Sequence, residues 1–176
     1  MEFRKTKIEG LIEIKPRIFT DSRGYFFESY QYELFKANGI AEVFVQDNQS
    51  FSTKGVLRGL HLQKAPYAQG KLVRVIKGKV LDVAVDVRAG SPTFGQWESV
   101  LLDSEQNNMF YVPPGFLHGF ATIEDAIFSY KCTNVYHRES EAGVRWDDPD
   151  LAIDWGIENP IVSEKDQVLP FLKDWK

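Results

Sequence analysis

The fold class is decided by the stretch Lys71-Leu-Val-Arg-Val-Ile-Lys-Gly-Lys-Val-Leu-Asp-Val-Ala-Val-Asp-Val87. Apolar residues alternate along its second half, so that one strand face would carry Leu81, Val83, Val85 and Val87 and the other Asp82, Ala84 and Asp86. This alternation predicts a β-strand over 80–87, and the segment 71–76 predicts a second strand. Lys77-Gly78 has the chemistry of a tight turn, so we expect the two strands to form a hairpin.

Similar short segments continue on both sides of this stretch. They predict strands at Val43–Gln49, Gln96–Leu102, Met109–Val112, Gly119–Ile123 and Ala126–Thr133. Helical signals are few and predict a short helix over Tyr32–Asn38 that Gly39 ends, with single turns at Ser163 and at Asp103–Gln106. Many short strands separated by turn residues predict a mainly β sandwich or barrel with a few short helices.

The overall composition is that of a globular protein. The 176 residues are 43% hydrophobic and 26% charged, and no repeat or linker divides them, so we expect one domain over residues 1–176. The formal net charge of -4 argues against a nucleic-acid partner. No apolar run approaches the roughly 20 residues that span a bilayer, and no secretory segment follows the N-terminal charges. The sequence therefore predicts a cytoplasmic protein without a membrane partner.

Side chains that commonly carry chemistry are scarce. Cys132 is the only cysteine, which excludes a disulfide framework and a thiolate metal cluster and suits a reducing compartment. We expect it to be a small buried residue. The three histidines are His61, His118 and His137, and the last lies in a polar turn where we expect no functional role. Imidazole chemistry therefore falls on the first two.

Each of these two histidines lies in a distinctive motif. The first motif reads Gly55-Val-Leu-Arg-Gly-Leu-His-Leu-Gln63 and is followed by Lys71 and Gly78, and the second reads Pro113-Pro-Gly-Phe-Leu-His-Gly119. Their spacing resembles the two motifs of the cupin superfamily, which implies a double-stranded β-helix of jelly-roll type. The second motif departs from that pattern at Asn107, in place of its opening glycine, and at Thr122, in place of its terminal asparagine.

The four places where a metal-binding cupin carries His, His, Glu and His differ here. They are occupied by His61, Gln63, Lys71 and His118. A lysine brings a cation to a place where a metal needs a lone pair or a negative charge. The sequence therefore predicts the scaffold of a metal site without a metal.

Histidines, a lysine and an arginine at a barrel mouth suit proton abstraction next to a carbonyl. Free imidazole, with a pKa near ~6.5, is a suitable general base. A neighbouring ammonium can stabilise the enolate that forms. Reprotonation of the carbon from the opposite face, for example by a tyrosine hydroxyl, would invert its configuration.

Motifs along nearly the whole chain, from Thr20 to Asp166, carry a closer resemblance. They include Asp21-Ser-Arg-Gly-Tyr-Phe-Phe-Glu28, Gln46-Asp-Asn48, Arg58-Gly-Leu-His-Leu-Gln63, Gly70-Lys-Leu-Val-Arg74, Pro113-Pro-Gly-Phe-Leu-His-Gly-Phe120, Tyr130-Lys-Cys-Thr133, Gly143-Val-Arg-Trp-Asp-Asp-Pro149 and Ser163-Glu-Lys-Asp166. In this order they resemble the dTDP-4-dehydrorhamnose 3,5-epimerase family.

The resemblance implies roles for individual residues. The catalytic base falls on His61, with Asp166 as the carboxylate that orients it, the acid falls on Tyr130, and Lys71 stabilises the enolate oxygen. The residues that match substrate-binding positions are Arg23, Glu28, Gln46, Asn48, Arg58, His118, Glu141 and Lys165. Because arginines bind diphosphate well, we expect Arg23, Arg58 and Lys71 to gather at one barrel mouth.

The implied reaction converts dTDP-4-dehydro-6-deoxy-D-glucose into dTDP-4-dehydro-L-rhamnose by epimerisation at C3 and C5. Both carbons flank the C4 ketone, so one carbonyl acidifies both protons, and no cofactor is expected. The sequence also lacks a dinucleotide-binding glycine motif. The resemblance further implies a homodimer, with Tyr25-Phe-Phe27 as the segment where we expect a subunit contact.

Several alternatives remain open from the residues alone. Ser163-x-x-Asp166 is also a capping box, which would give Asp166 a structural role, and Tyr136 rivals Tyr130 as the proton donor. A relative that epimerises only C5 or only C3 would carry the same motifs. A non-catalytic cupin that binds a sugar nucleotide and a metal-dependent dioxygenase are the alternatives from other functional classes.

Overall fold

The fold over residues 1–175, which the computed structural model describes, is built mainly from β-strands. The strands are β1 (Glu2–Lys5), β2 (Ile12–Lys15), β3 (Phe19–Asp21), β4 (Gly24–Phe26), β5 (Gln46–Ser52), β6 (Val56–Gln63), β7 (Lys71–Asp86), β8 (Trp97–Asp103), β9 (Met109–Val112), β10 (Phe116–Cys132), β11 (Glu141–Gly143) and β12 (Ile161–Val162). The helices are α1 (Tyr32–Ala37) and α2 (Glu164–Gln167), with 3₁₀ turns at Arg138–Ser140 and Leu172–Asp174. The mainly β architecture with few short helices confirms the predicted fold class.

Ten strands form one large sheet that is antiparallel except at one pair. Its central path runs β1-β2-β9-β7-β10-β6-β11, with β5 added to β10, β8 to β7, and β12 parallel to β6. Strands β3 and β4 form a separate two-stranded hairpin. The C-terminal β12 thus lies beside the strand that carries His61, although about a hundred residues separate them along the chain.

The predicted hairpin at Lys77-Gly78 is wrong, because β7 runs as one strand of 16 residues through that point. Gly78 has a positive φ of 80°, as a turn glycine would. However, the backbone of Asp125 crosses it so closely that a Cβ on Gly78 would lie 2.1 Å from the Asp125 carbonyl oxygen. The glycine therefore permits a close crossing within a paired strand, not a chain reversal.

The two strands predicted at Gly119–Ile123 and Ala126–Thr133 are likewise one strand, β10, which has 17 residues. It pairs with β7 along most of its length, and the register shifts between Thr122 and Phe128, opposite Gly78. These irregularities bend the long strand pair without ending it. The remaining strand predictions are confirmed within a few residues, with β5 beginning at Gln46.

Both faces of β7 are buried over residues 82–86, which explains how one strand can serve two clusters of apolar side chains. Val83 and Val85 pack with Leu57 and Trp155 on one face. Residues of the opposite face, among them Ala84, pack in a second cluster that contains Phe120 and Phe128. Asp82 and Asp86 alternate with the valines as predicted, yet both carboxylates are fully buried. The polar face of this strand is therefore turned inward and not toward water.

Two glycines allow strands β6 and β10 to approach each other closely beside the two motif histidines. Gly59 has φ of 127°, and a Cβ at this position would lie 2.6 Å from the Cα of Gly119. A Cβ on Gly119 would in turn lie 2.7 Å from the Arg58 carbonyl oxygen. Side chains at either position would push the strands apart, so these glycines set the distance between His61 and His118.

The predicted local elements outside the sheet are confirmed. Helix α1 begins after Gln31, whose side chain accepts the Leu34 N–H, and ends before Gly39, which has a positive φ. Asp103 caps a single turn by accepting the Glu105 N–H. Cys132 is fully buried and unpaired. Within residues 1–175, no helix has the length and apolar character needed to cross a bilayer.

Candidate active site

A cavity of about 540 Å³ opens between β6, β7, β10 and the segment that carries α2. Its polar lining combines most of the residues that the sequence singled out for chemistry: Arg58, His61, Lys71, His118, Tyr130, Lys165 and Asp166. Phe120 and Phe128 form part of its apolar wall. The fold thus brings residues from four distant parts of the sequence to one concave site.

His61 and Asp166 form a short, direct polar contact in this cavity. The imidazole Nε2 lies 2.6 Å from Asp166 Oδ1, and the Gly59 N–H donates to Oδ2 at 3.3 Å. Burial alone would raise the pKa of the Asp166 carboxyl, yet the hydrogen bonds from His61, Gly59 and Ser163 hold that pKa below its usual value. An ionised Asp166 accepts the Nε2–H of a neutral imidazole, which leaves Nδ1 as the basic nitrogen.

The capping role considered for Asp166 is also present. Ser163 is the N-cap of α2, and its Oγ accepts the Asp166 backbone N–H at 3.2 Å. The backbone of Asp166 therefore completes the cap while its side chain faces His61, so the two roles coexist. The parallel pairing of β12 with β6 holds this turn next to the histidine.

A second imidazole–carboxylate pair lies at the wall of the cavity, which His118 lines. Nε2 of His118 lies 3.0 Å from both Asp82 oxygens, and both residues are buried. Burial raises the pKa of Asp82, while the imidazole and the nearby Lys71 act in the opposite direction. The sequence motifs assign no role to Asp82. The sequence does carry a signal for this pair, because Asp82 lies on the polar face of an alternating strand. If both faces of that strand are buried, the carboxylate needs a hydrogen-bonding partner.

Lys71 is the partly buried cation of the site. It begins β7 opposite Cys132 on β10 and lines the main cavity. Burial lowers the pKa of the ammonium, and the nearby thiol and the carboxylates of Asp82 and Glu141 only partly offset that effect. A cation held in a poorly solvated place interacts strongly with any negative charge that develops near it.

Tyr130 lies on the same wall as Lys71. Its ring packs against Phe128 at a centroid distance of 5.8 Å and faces the main cavity. Burial raises the pKa of its hydroxyl, while the positive charge of Arg58 acts in the opposite direction. The phenol therefore stays protonated at neutral pH and is available as a proton donor.

A smaller pocket of about 130 Å³ adjoins the main cavity across His61, Lys71 and Tyr130. Its other lining residues are polar: Gln46, Asn48, Gln63, Gln69, Tyr136 and Glu141. Glu141 accepts hydrogen bonds from Lys165 Nζ at 2.5 Å and from the Tyr136 hydroxyl at 3.3 Å. Burial opposes ionisation of Glu141, but the ion pair with Lys165 holds its pKa below the usual value. Six of the eight predicted substrate-binding residues thus line one of the two adjoining spaces.

The other two, Arg23 and Glu28, do not reach the cavity of their own chain. Arg23 lies on the exposed β3–β4 hairpin and pairs with Asp21 at 2.6 Å. Glu28 follows the hairpin and is exposed. The expectation that Arg23 joins Arg58 and Lys71 at one barrel mouth is therefore wrong within a single chain. The reason is that β3 and β4 pair only with each other and form no strand pairing with the large sheet.

The residues at the four former metal-ligand places do not fit a metal. The Gln63 amide is committed to hydrogen bonds with backbone groups, and Lys71 supplies a cation. Within residues 1–175, no group of three or more His, Cys, Asp or Glu side chains is arranged to hold a metal ion. We therefore derive no chemistry from a metal at this site.

Comparison with known proteins decides the family. The family model described as dTDP-4-dehydrorhamnose 3,5-epimerase matches residues 5–174. The chain belongs to the dTDP-4-dehydrorhamnose 3,5-epimerase family. The member from Methanothermobacter thermautotrophicus, also named dTDP-4-dehydrorhamnose 3,5-epimerase, is 49% identical over 99% of this chain and 94% of its own length.

Solved structures of this epimerase family share the fold. A 3,5-epimerase from Legionella pneumophila in complex with dTDP-4-keto-L-rhamnose superposes with a TM-score of 0.95, at 48% identity, over 99% of this chain and 94% of that one. A 3'-monoepimerase from Streptomyces bikiniensis in complex with dTDP-quinovose gives a TM-score of 0.90 at 37% identity, over 96% and 86% of the two chains. The family fold therefore accommodates both double and single epimerases.

Replacing Lys71 by methionine tests whether the buried cation is held at a cost to stability. We expect Lys71→Met to raise the free energy of unfolding by roughly 0.5–2 kcal/mol at neutral pH, because it removes a charge that burial disfavours. The pKa of Lys71 is lower in the folded state than in the unfolded state. The wild type therefore gains stability as pH rises from the folded-state pKa to the unfolded-state pKa, and the difference in stability between the two proteins should shrink over that range.

Chemical denaturation at several pH values measures this difference. Lys77→Met is the matched control, because Lys77 lies on the same strand but is exposed, and its replacement should change stability by less than about 0.5 kcal/mol. A Lys71→Met protein that is less stable than the wild type at every pH would contradict the interpretation.

Proposed function

We propose that the chain catalyses epimerisation of dTDP-4-dehydro-6-deoxy-D-glucose at C3 and C5, giving dTDP-4-dehydro-L-rhamnose for L-rhamnose biosynthesis. The observation that carries this proposal is the arrangement around one cavity of a carboxylate-bound imidazole, a partly buried ammonium and a protonated phenol. These are the three groups that an epimerisation next to a ketone requires: a base, a group that stabilises the enolate, and an acid.

In the proposed mechanism, His61 removes the proton from the carbon next to the C4 ketone. The electron pair of the broken C–H bond moves onto the carbonyl oxygen, where the Lys71 ammonium stabilises the enolate. Asp166 fixes the tautomer of His61 and stabilises the imidazolium that forms. The proton on His61 then returns to solvent.

Tyr130 completes each inversion in this proposal. Its hydroxyl donates a proton to the carbon on the face opposite His61, and the phenolate recovers a proton from water. The same steps at C3 and C5 invert both centres, and because neither carbon changes its oxidation state, no redox cofactor takes part. Tyr136 rivals Tyr130 as the donor, but its side chain is 57% exposed and does not line the main cavity, whereas Tyr130 does.

Substrate binding is assigned to the polar residues around the two spaces. Arg58, whose Nε donates to Ser52 Oγ at 3.1 Å, lies where it can bind the diphosphate together with Lys165. The sugar is assigned to the smaller pocket and the adjoining part of the main cavity. Gln46, Asn48 and Glu141 line the first and His118 lines the second.

The reaction is tested by incubating the protein with dTDP-4-dehydro-6-deoxy-D-glucose in D₂O and following the sugar by NMR. We expect deuterium at both C3 and C5. His61→Asn should lower the rate of exchange at both carbons by about 10²–10⁴-fold, because no base remains. Tyr130→Phe should suppress formation of the inverted product, whereas Tyr32→Phe, on α1 and outside the cavity, should retain full activity.

The alternatives give different labelling patterns. Deuterium at C3 alone or at C5 alone would replace the proposal by a single epimerase. Normal binding of the dTDP-sugar with no exchange at either carbon would indicate a non-catalytic binding protein and would contradict the enzyme assignment.

We further propose that the protein functions as a homodimer in the cytoplasm. The aromatic side chains of the β3–β4 hairpin are exposed: Phe19 at 50%, Tyr25 at 62% and Phe26 at 65%. Several exposed aromatic side chains on one hairpin are typical of a protein–protein contact. The resemblance gives Arg23 and Glu28 a role in binding the nucleotide-sugar, yet both lie away from the cavity of their own chain. A second copy of the chain reconciles these facts, since its cavity can then receive Arg23 from the hairpin.

The unpaired Cys132 suits a reducing compartment and supports the cytoplasmic location.

Mixing two inactive variants tests the exchange of hairpins. Arg23→Ala is expected to lose substrate affinity and His61→Asn to lose catalysis. In a mixed dimer, the chain that keeps His61 would receive an intact Arg23 from its partner. We expect the mixture to regain activity that neither variant has alone, and light scattering to give the mass of two chains. A monomer mass, or no recovery after mixing, would contradict the proposal.

A further inference from the structure

Gln63 is a buried amide whose hydrogen-bonding capacity is spent on backbone groups of two loops. It lies at the end of β6, two residues after His61, and is 6% exposed. Its Nε2 donates to the Tyr67 carbonyl at 2.6 Å and to the Val135 carbonyl at 3.1 Å. Its Oε1 accepts the His137 N–H at 2.8 Å. All three bonds join it to irregular segments beside the smaller pocket.

Two of these bonds enclose a single residue, Tyr136. Val135 precedes it and His137 follows it, so the Gln63 amide holds the backbone on both sides of Tyr136. The Tyr136 N–H itself donates to Gln46 Oε1 at 3.0 Å. The segment 134–137 belongs to no strand or helix. Side-chain amides, and not a sheet ladder, therefore set the position of Tyr136.

This backbone support matters because the core does not enclose the Tyr136 side chain. Its side chain is 57% exposed, yet it lines the smaller pocket with His61, Lys71 and Tyr130. Its hydroxyl donates to Glu141 at 3.3 Å, a bond at the long end of the usual range. A shift of the backbone at 135–137 would move the ring relative to the catalytic groups.

The chemistry of the three bonds requires an amide at position 63. Two of the partners are carbonyl oxygens, which need N–H donors, and the third is an N–H, which needs an acceptor. A glutamate at position 63 would set a carboxylate oxygen against two carbonyl oxygens. The structure thus gives a local reason for glutamine at this place.

We propose that Gln63 is a positioning residue for the epimerisation, acting through Tyr136. By fixing the backbone around Tyr136, it sets the wall of the smaller pocket and thereby the relative rates of proton exchange at C3 and C5. The two carbons lie on opposite sides of the ketone, so displacement of one wall affects them unequally. This inference rests on the proposed function, because it assumes that a 4-keto sugar occupies the space.

The variant Gln63→Glu keeps the side-chain shape and removes the two donors. We expect kcat/KM to fall by about 10- to 100-fold, as small displacements of positioned groups produce. We also expect the ratio of deuterium incorporation at C3 to that at C5 to change from the wild-type ratio. This ratio is a property of each active molecule and does not depend on how much of the protein is folded. Gln106→Glu, which adds the same charge in an exposed turn, should leave rate and ratio unchanged.

A double-mutant cycle tests whether the effect passes through Tyr136. In a Tyr136→Ala background, the further change Gln63→Glu should have little additional effect on the ratio, because the residue it positions is absent. If Gln63→Glu does not fold, Gln69→Leu removes the Nε2 bond to the Asn134 carbonyl, at 2.7 Å, and should shift the ratio in the same direction as Tyr136→Ala.

Three outcomes would overturn the inference. One is an unchanged ratio in Gln63→Glu with activity reduced only in proportion to the folded fraction. Another is an effect of equal size with and without Tyr136, and a third is an unchanged ratio in Gln69→Leu when that variant is the one tested.

The wild-type protein tests the proposed function separately from the role of Gln63. Wild-type protein that exchanges neither carbon rejects the proposed function and, with it, this inference. Wild-type protein that exchanges both carbons leaves the variants to decide on Gln63 alone.

Discussion

The hydrogen bond between His61 Nε2 and Asp166 Oδ1 is the contact on which the rest of the site depends. It joins two residues 105 positions apart, one on strand β6 and one in the short helix α2. The parallel pairing of β12 with β6 and the Ser163 cap bring the carboxylate into place. Because the carboxylate is buried and ionised, it determines which nitrogen of His61 carries the proton.

The interior of the barrel is unusually rich in charge for a protein core. Lys71 and Asp82 are both placed where burial disfavours ionisation, and His118 and Asp82 satisfy each other's hydrogen bonds. Buried charges of this kind cost stability unless they are paired, so a barrel built for stability alone would carry apolar residues there. The arrangement is explained if a negative charge forms in the cavity during the reaction, because Lys71 is then already in position and little solvated.

Local pattern predicted the strands, α1 and the capped turn at Ser163, because these depend on residues adjacent in sequence. It failed at Gly78, where the same chemistry serves a turn or a close crossing, and the backbone of Asp125 decides between them. Motif resemblance predicted the residues that meet in the cavity. The roles of Asp82 and Gln63 were not predicted, because they arise from hydrogen bonds to groups that only the fold brings near.

The protonation state of His61 tests the central claim most directly. NMR of protein labelled with ¹⁵N in its histidines, recorded at alkaline pH where imidazole is neutral, distinguishes the two ring nitrogens. We predict that His61 carries its proton on Nε2 in the wild type, with Nδ1 unprotonated, and that Asp166→Asn abolishes this preference. A wild-type His61 protonated on Nδ1, or a tautomer that Asp166→Asn leaves unchanged, would contradict the assignment of Asp166 as the group that prepares His61 as a base.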